Sequence, residues 1–282
     1  MWRSSPHPRP ATLPGKRYEY AEDSRLAFDI GFEHHGPVAV ITIDNPPVNA
    51  LHPDVASEIQ RHVNAVGDDP DVRALVITGT GRHFVAGGDI EHFKTLDTYR
   101  AERYALAVQT MQDSLGLLPQ PVIAAINGTC LGGGCELAMA CDIRVADERA
   151  TFGQPEVTLG TIPGAGGTQN LPRLVPIGRA KLLLFTGERI GAQEALNIGL
   201  VDQVAPADTS LQHALELGER IARNGPLAVA AAKRAVNLGL QMSVVDAHRL
   251  EATLFAQLAG TADFAEGVKA FFEKREPTFT RE

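Results

Sequence analysis

The chain has 282 residues, 44% of them hydrophobic and 21% charged, the balance of a globular protein with a real core. Its formal charge of −8 argues against a general nucleic-acid binder, which carries a basic face. No run of about 18 apolar residues occurs, so no membrane span is expected, and three cysteines without a regular framework suggest reduced thiols.

Residues 1–24 read as a disordered tail. The stretch from Met1 to Tyr18 holds Pro6, Pro8, Pro10 and Pro14, four basic residues and no acid. It lacks the apolar centre of a secretory signal, and its prolines oppose the amphipathic helix of a transit peptide. From about Arg25 the pattern is structured. LAFDIGF and VAVITI, bounded by HHG and DNPP, predict a β-hairpin, with His34-His35 in its turn. A helix is expected from Pro53 to Val66, and a short buried strand from Arg73 to Gly79. The next helix runs from about Leu96 to Leu118, where Tyr104, Val108, Met111, Leu115 and Leu118 make one apolar face.

Pro121 to Gly128 reads as a buried strand, and Asp142 to Asp147 as another, with a glycine cluster and a helix between them. Strand, turn and helix alternate, which predicts an α/β core with crossover connections. From Gly178 onward the chain reads as mostly helical. Pro226 opens one helix, and the last two run from about Val244 to Leu258 and from about Ala262 to Glu273.

Three stretches carry chemistry. In LGGGCELAMACD (Leu131 to Asp142) glycines precede a helix, so unpaired N–H groups at its start can meet an anion or a developing oxyanion. Glu136 lies in that helix's first turn, where the dipole favours its ionised form. A helix packed tightly on a strand, with Glu136 as a cap, is the alternative. HFVAGGDI (His83 to Ile90) is a second turn of small residues able to present a backbone N–H. TFGQPEVTLGTIPGAGGTQNLPRLV (Thr151 to Val175) places Glu156 before a glycine-rich loop stiffened by Pro155 and Pro163. If Glu136 and Glu156 face one cavity, they can hold a water between them with split pKa values. A solvated loop acid is the alternative for Glu156.

Other chemistries find little support. Leu137 stands where a dinucleotide fingerprint needs its third glycine. No zinc-type His/Cys spacing, G-x-S-x-G elbow or phosphate loop occurs. Cys130, Cys135 and Cys141 read as small core residues.

With NPPVNAL (Asn45 to Leu51), GERIGAQEALNIGLVDQV (Gly187 to Val204) and FAEGVKAFFEKREPTF (Phe264 to Phe279) added, the chain resembles the enoyl-CoA hydratase/isomerase (crotonase) superfamily. The likeness runs from about Arg25 to the C-terminus. It implies a crotonase-like spiral of ββα units over residues 25–205 and a C-terminal helical trimerisation region over 206–282. It implies an enoyl-CoA hydratase, assembled as a homotrimer or as a hexamer built from two trimers. Glu136 and Glu156 match the family's two catalytic glutamates, and the N–H groups of Gly88 and Gly133 its oxyanion hole. Ala86, Asp89, Ile90 and Gly164 match substrate-binding positions.

The implied reaction is reversible syn hydration of a trans-2-enoyl-CoA. It needs no metal or redox cofactor, and coenzyme A arrives as part of the acyl-CoA thioester. A nucleic-acid or membrane partner is not expected. A cytoplasmic protein is expected, with the mitochondrial matrix as the alternative. Relatives often have alanine where this chain has Gly88, and lysine where it has Glu91. Lys94, Lys274 and Arg275 are the cations considered for the CoA phosphates, and ordinary solvated charges is the preferred reading. A double-bond isomerase of the same fold, or a non-catalytic RNA-associated or assembly relative, are the competing functions. The presence of both glutamates favours hydration.

Overall fold

The structure, a computed structural model, describes residues 28–282, so the tail expected over residues 1–24 lies outside the described residues. The expected hairpin is present: β1 (Asp29–His35) pairs antiparallel with β2 (Val38–Asp44). His34 and His35 end β1 rather than forming the turn, which falls at Gly36, where φ is +58°. The α1 helix (Pro53–Asp68) buries Val55, Ala56, Ile59, Val63 and Val66, a spacing of three and four that puts one apolar face inward.

Three further turns of chain each add a strand to each of two sheets. The first gives β3 (Ala74–Gly79) and β4 (His83–Val85), followed by the short α2 (Ile90–Phe93) and the long α3 (Thr98–Leu117). The second gives β5 (Val122–Ile126), β6 (Thr129–Leu131) and α4 (Gly133–Ala140). The third gives β7 (Ile143–Asp147) and β8 (Thr151–Gly153), a 3₁₀ turn at Pro155–Leu159, then α5 (Gly167–Leu174) and α6 (Ile177–Thr186). After β9 (Arg189–Gly191), α7 (Ala192–Ile198) and β10 (Gln203–Ala205), the chain continues as α8 (Ser210–Ala222), α9 (Pro226–Gly239), α10 (Val244–Leu258) and α11 (Ala262–Glu273).

The large sheet has the order β1-β2-β3-β5-β7-β10, parallel from β2 onward; the small one has the order β4-β6-β8-β9. This is the crotonase-like ββα spiral the sequence led us to expect. The large sheet is covered on both faces, as a parallel sheet requires. Alternate residues serve different cores: Ala39, Ile41 and Ile43 face the main core, while Val38 and Val40 face α8 with Ala74, Val76, Ile123 and Ala125. A β-carbon on Gly218 would lie 2.9 Å from Val38, so the glycine lets α8 approach the sheet closely.

The side chain of Lys233 on α9 is only 7% exposed and ties the C-terminal helices to the core. Its Nζ lies 2.7 Å from Asp142 and donates to the carbonyls of Leu115 at 2.8 Å and Gln120 at 3.0 Å. By contrast, Leu240, Val244, Phe255, Phe271 and Phe272 leave apolar side chains exposed on or beside α9, α10 and α11.

Candidate active site

The strands β4, β6 and β8 are neighbours in the small sheet and run parallel. Their C-terminal ends therefore lie side by side. Each end carries one of the three motifs: Ala86 to Asp89 follows β4, Gly132 to Glu136 follows β6, and Gln154 to Glu156 follows β8. Motifs distant in sequence meet because the spiral repeats, and the carboxyl ends of parallel strands are where α/β folds gather ligands.

The first turn is braced by NPPVNAL. Asn49 is buried at φ +56°, a conformation asparagine tolerates, and its Nδ2 donates to the carbonyls of His83 at 2.8 Å and Thr80 at 3.1 Å. Leu51 is thereby set beside Gly88 in a parallel bridge. Its N–H donates to the Gly87 carbonyl at 2.9 Å, and its carbonyl accepts the Asp89 N–H at 3.2 Å. In such a bridge the flanking residues make the bonds, so the Gly88 N–H points away from Leu51. Gly87 has φ +120°, which only glycine adopts without strain.

Gly133 is the first residue of α4, whose first internal bond runs from the Glu136 N–H to the Gly132 carbonyl at 2.9 Å. Its own N–H is one that helix geometry leaves unpaired. Among the described residues, neither the Gly88 nor the Gly133 N–H has an acceptor. A β-carbon on Gly133 would lie 3.6 Å from the Gly88 nitrogen, so the two turns face each other closely.

Glu136 is 3% exposed, and one carboxylate oxygen accepts the N–H groups of Ala165 and Gly167, each at 2.8 Å. Burial raises its pKa and those two donors oppose the rise, leaving it above the ordinary value. The glycine-rich loop thus has a definite role here: its backbone holds Glu136.

Glu156 sits on the 3₁₀ turn. Its Oε1 lies against Gly132, and the side-chain amide of Gln154, itself 1% exposed, faces the carboxylate; with its NH2 group turned toward Glu156 it donates to Oε2 at 3.1 Å and to Oε1 at 3.3 Å. Burial, then the nearby Glu136 charge, pushes the Glu156 pKa up to about 7. The two carboxyl groups thus differ in environment: one is fixed by backbone donors, the other is poised to carry a proton near neutral pH.

Of the other residues singled out from sequence, Ala86 donates its N–H to Val48 at 3.1 Å, and Asp89 caps α2 by accepting from Glu91 at 2.9 Å and His92 at 3.1 Å. Ile90 is exposed beside that turn. Gly164 accepts from Gln109 of α3 at 2.8 Å. Lys94 pairs with Glu91, and Arg275 with Glu266 and Glu273, so acids already compensate both cations. All three cysteines are buried.

Sequence reasoning missed Asn49, Gln154 and the hydroxyl of Tyr104. Tyr104 donates to the Leu51 carbonyl at 2.9 Å, beside Gly88. Two clefts, of about 220 Å³ beside Arg73 and Pro226 and about 270 Å³ beside Thr78 and Ser210, contain neither glutamate. The site is defined by its donors and carboxylates instead. Among the described residues, no helix is long and apolar enough to cross a membrane.

The family profile described as enoyl-CoA hydratase/isomerase matches residues 33–282. The chain is 45% identical over 253 residues to a crotonyl-CoA hydratase of Syntrophomonas wolfei, covering 89% of this chain and 97% of the relative. It is 44% identical over 245 residues to a short-chain-enoyl-CoA hydratase of Clostridium acetobutylicum, covering 86% and 94%. The crystal structure of an enoyl-CoA hydratase from Bacillus anthracis superposes with a TM-score of 0.87 at 39% identity, covering 90% of this chain and 99% of that one.

Proposed function

The chain belongs to the enoyl-CoA hydratase/isomerase family, and from that premise we propose that it adds water reversibly to a trans-2-enoyl-CoA, giving the 3-hydroxyacyl-CoA. The observation that carries the mechanism is the meeting of Glu136, Glu156 and two unpaired backbone N–H groups at the ends of three neighbouring strands.

The thioester carbonyl accepts from Gly88 and Gly133. Glu136, ionised and steadied by Ala165 and Gly167, takes a proton from water as the water oxygen bonds to the β-carbon. The electron pair of the double bond shifts toward the carbonyl, and the two N–H groups hold the enolate-like oxygen. Glu156, protonated, then gives its proton to the α-carbon. One water is consumed, and the pair ends with its single proton on Glu136. Two carboxyl groups on the same side of the double bond give syn addition. Coenzyme A enters with the substrate, and no step draws on a metal or redox group.

Ala86, Asp89, Ile90 and Gly164 are assigned to the substrate-facing rim. The exposed apolar side chains of α9, α10 and α11 support self-association as a trimer, or as a hexamer of two trimers.

The test is hydration of crotonyl-CoA, followed by loss of the conjugated thioester absorbance. Glu156→Gln and Glu136→Gln are each expected to lower kcat by about a thousandfold, the scale of general acid–base catalysis. Near-normal turnover in both variants would remove this mechanism. No hydration of any enoyl-CoA by the wild type, with double-bond migration instead, would make the protein an isomerase.

A further inference from the structure

Gly88 is crowded by two rings. A β-carbon there would lie 2.7 Å from Phe93 Cζ and 2.8 Å from the Tyr104 hydroxyl. The space of that β-carbon is taken by the tip of Tyr104 and the edge of Phe93, whose rings meet at a 5.3 Å centroid separation and 79°.

Tyr104 is fixed at both ends. Its ring is held between Phe93 and His92, whose centroid lies 5.6 Å away. Its hydroxyl donates to the Leu51 carbonyl at 2.9 Å. That carbonyl also accepts the Asp89 N–H, the bond that closes the bridge beside Gly88. One acceptor therefore ties α3 to the turn on the residue next to Gly88. A second tie from the same helix, Gln109 to the Gly164 carbonyl at 2.8 Å, reaches the loop that holds Glu136.

We propose that Tyr104 is a positioning residue for hydration: its hydroxyl, through the Leu51 carbonyl, fixes the direction of the Gly88 N–H toward the thioester oxygen. Burial and the charges of Glu136, Asp89 and Glu156 keep the phenol protonated, so it remains a donor across the working range. An oxyanion donor acts through its preset direction, and small misplacements of a catalytic group can cost about a hundredfold in rate. The inference rests on the oxyanion role given above to Gly88.

The test is Tyr104→Phe, which keeps the ring and removes only the donor. Tyr99→Phe, an exposed position at the start of the same helix, is the control. Two readouts are needed: kcat and KM for crotonyl-CoA, and the red shift of an aryl-enoyl-CoA chromophore on binding, which reports polarisation of its carbonyl. Tyr104→Phe is expected to lower kcat at least about tenfold, with KM within about twofold, and to shrink the red shift. Packing loss alone would not reduce the shift in the folded, ligand-saturated fraction, so the reading survives a destabilised variant.

An unchanged shift with unchanged kcat overturns the proposal, as does a rise in KM alone, which would make Tyr104 only a wall. If the wild type itself gives no shift, the oxyanion role of Gly88 falls and this proposal with it. If the wild type shifts and Glu156→Gln is inactive, while Tyr104→Phe behaves as wild type, only the Tyr104 proposal fails.

Discussion

The carboxylate of Glu156 rests on Gly132: a β-carbon on that glycine would come within 2.5 Å of Glu156 Oε1. Gly132 also has φ +49° and ψ −123°, a region closed to residues with a side chain. Gly132→Ala therefore suffers twice, through backbone strain of about 1–3 kcal/mol and through displacement of the proton donor. The expected result is a lower melting temperature and a kcat reduced about a hundredfold or more, since the displaced group is catalytic. A variant that melts lower but keeps its kcat would mean that Glu156 need not sit against this glycine.

The carboxylate pair makes a prediction about pH. Hydration begins with the proton on Glu156 and ends with it on Glu136, and dehydration runs the other way. Both directions use the same singly protonated pair, so kcat/KM follows a bell-shaped profile with two apparent pKa values that belong to the pair. The alkaline limb falls as the last proton leaves, near the Glu156 value of about 7. The acid limb falls as the pair gains its second proton. A kcat/KM for hydration that shows no alkaline fall above about pH 7 would rule out a shared single proton.

A stability prediction concerns Lys233. Removing its ammonium in Lys233→Ala leaves the Leu115 and Gln120 carbonyls and the Asp142 carboxylate without that partner. Breaking a fully buried pair costs about 3–5 kcal/mol. Asp142 is 21% exposed and keeps the Val122 N–H, so about 2–3 kcal/mol is expected. Denaturant unfolding measures it. Lys233→Met, which refills the volume, should recover part of the loss.

Much of this was legible in the sequence, for identifiable reasons. The last two helices begin at Ser243 and Thr261 caps and carry clear helical periodicity, and their bounds match the expectation. The buried strands read as apolar runs because a doubly covered parallel sheet needs them. The strands β9 and β10 span three residues each, too short to leave a pattern. The same limit applies within the site. Glu136 and Glu156 stood out because acids are costly in apolar or glycine-rich surroundings. Tyr104 did not, because it fits the apolar stripe of α3 with Val108 and Met111, and its partner carbonyl lies 53 positions away. Asn49 was hidden likewise: turn asparagines are common, and its bonds to Thr80 and His83 depend on the spiral.

Glu156 also links catalysis to stability. Its folded pKa is raised from 4.5 to about 7, so between those values the native state holds a proton that the unfolded chain has released. Native protein then binds more protons than unfolded, and stability falls as pH rises through this window. Above about pH 7 the full penalty of the buried, Glu136-opposed charge is present. Glu156→Gln removes the titration and keeps the shape. Its melting temperature should match the wild type near about pH 4 and exceed it near about pH 8, with a flatter dependence between. Thermal melts across that range measure the difference between the two curves. Parallel curves would show that Glu156 carries no raised pKa in the folded protein, and would move the shared proton to Glu136 alone.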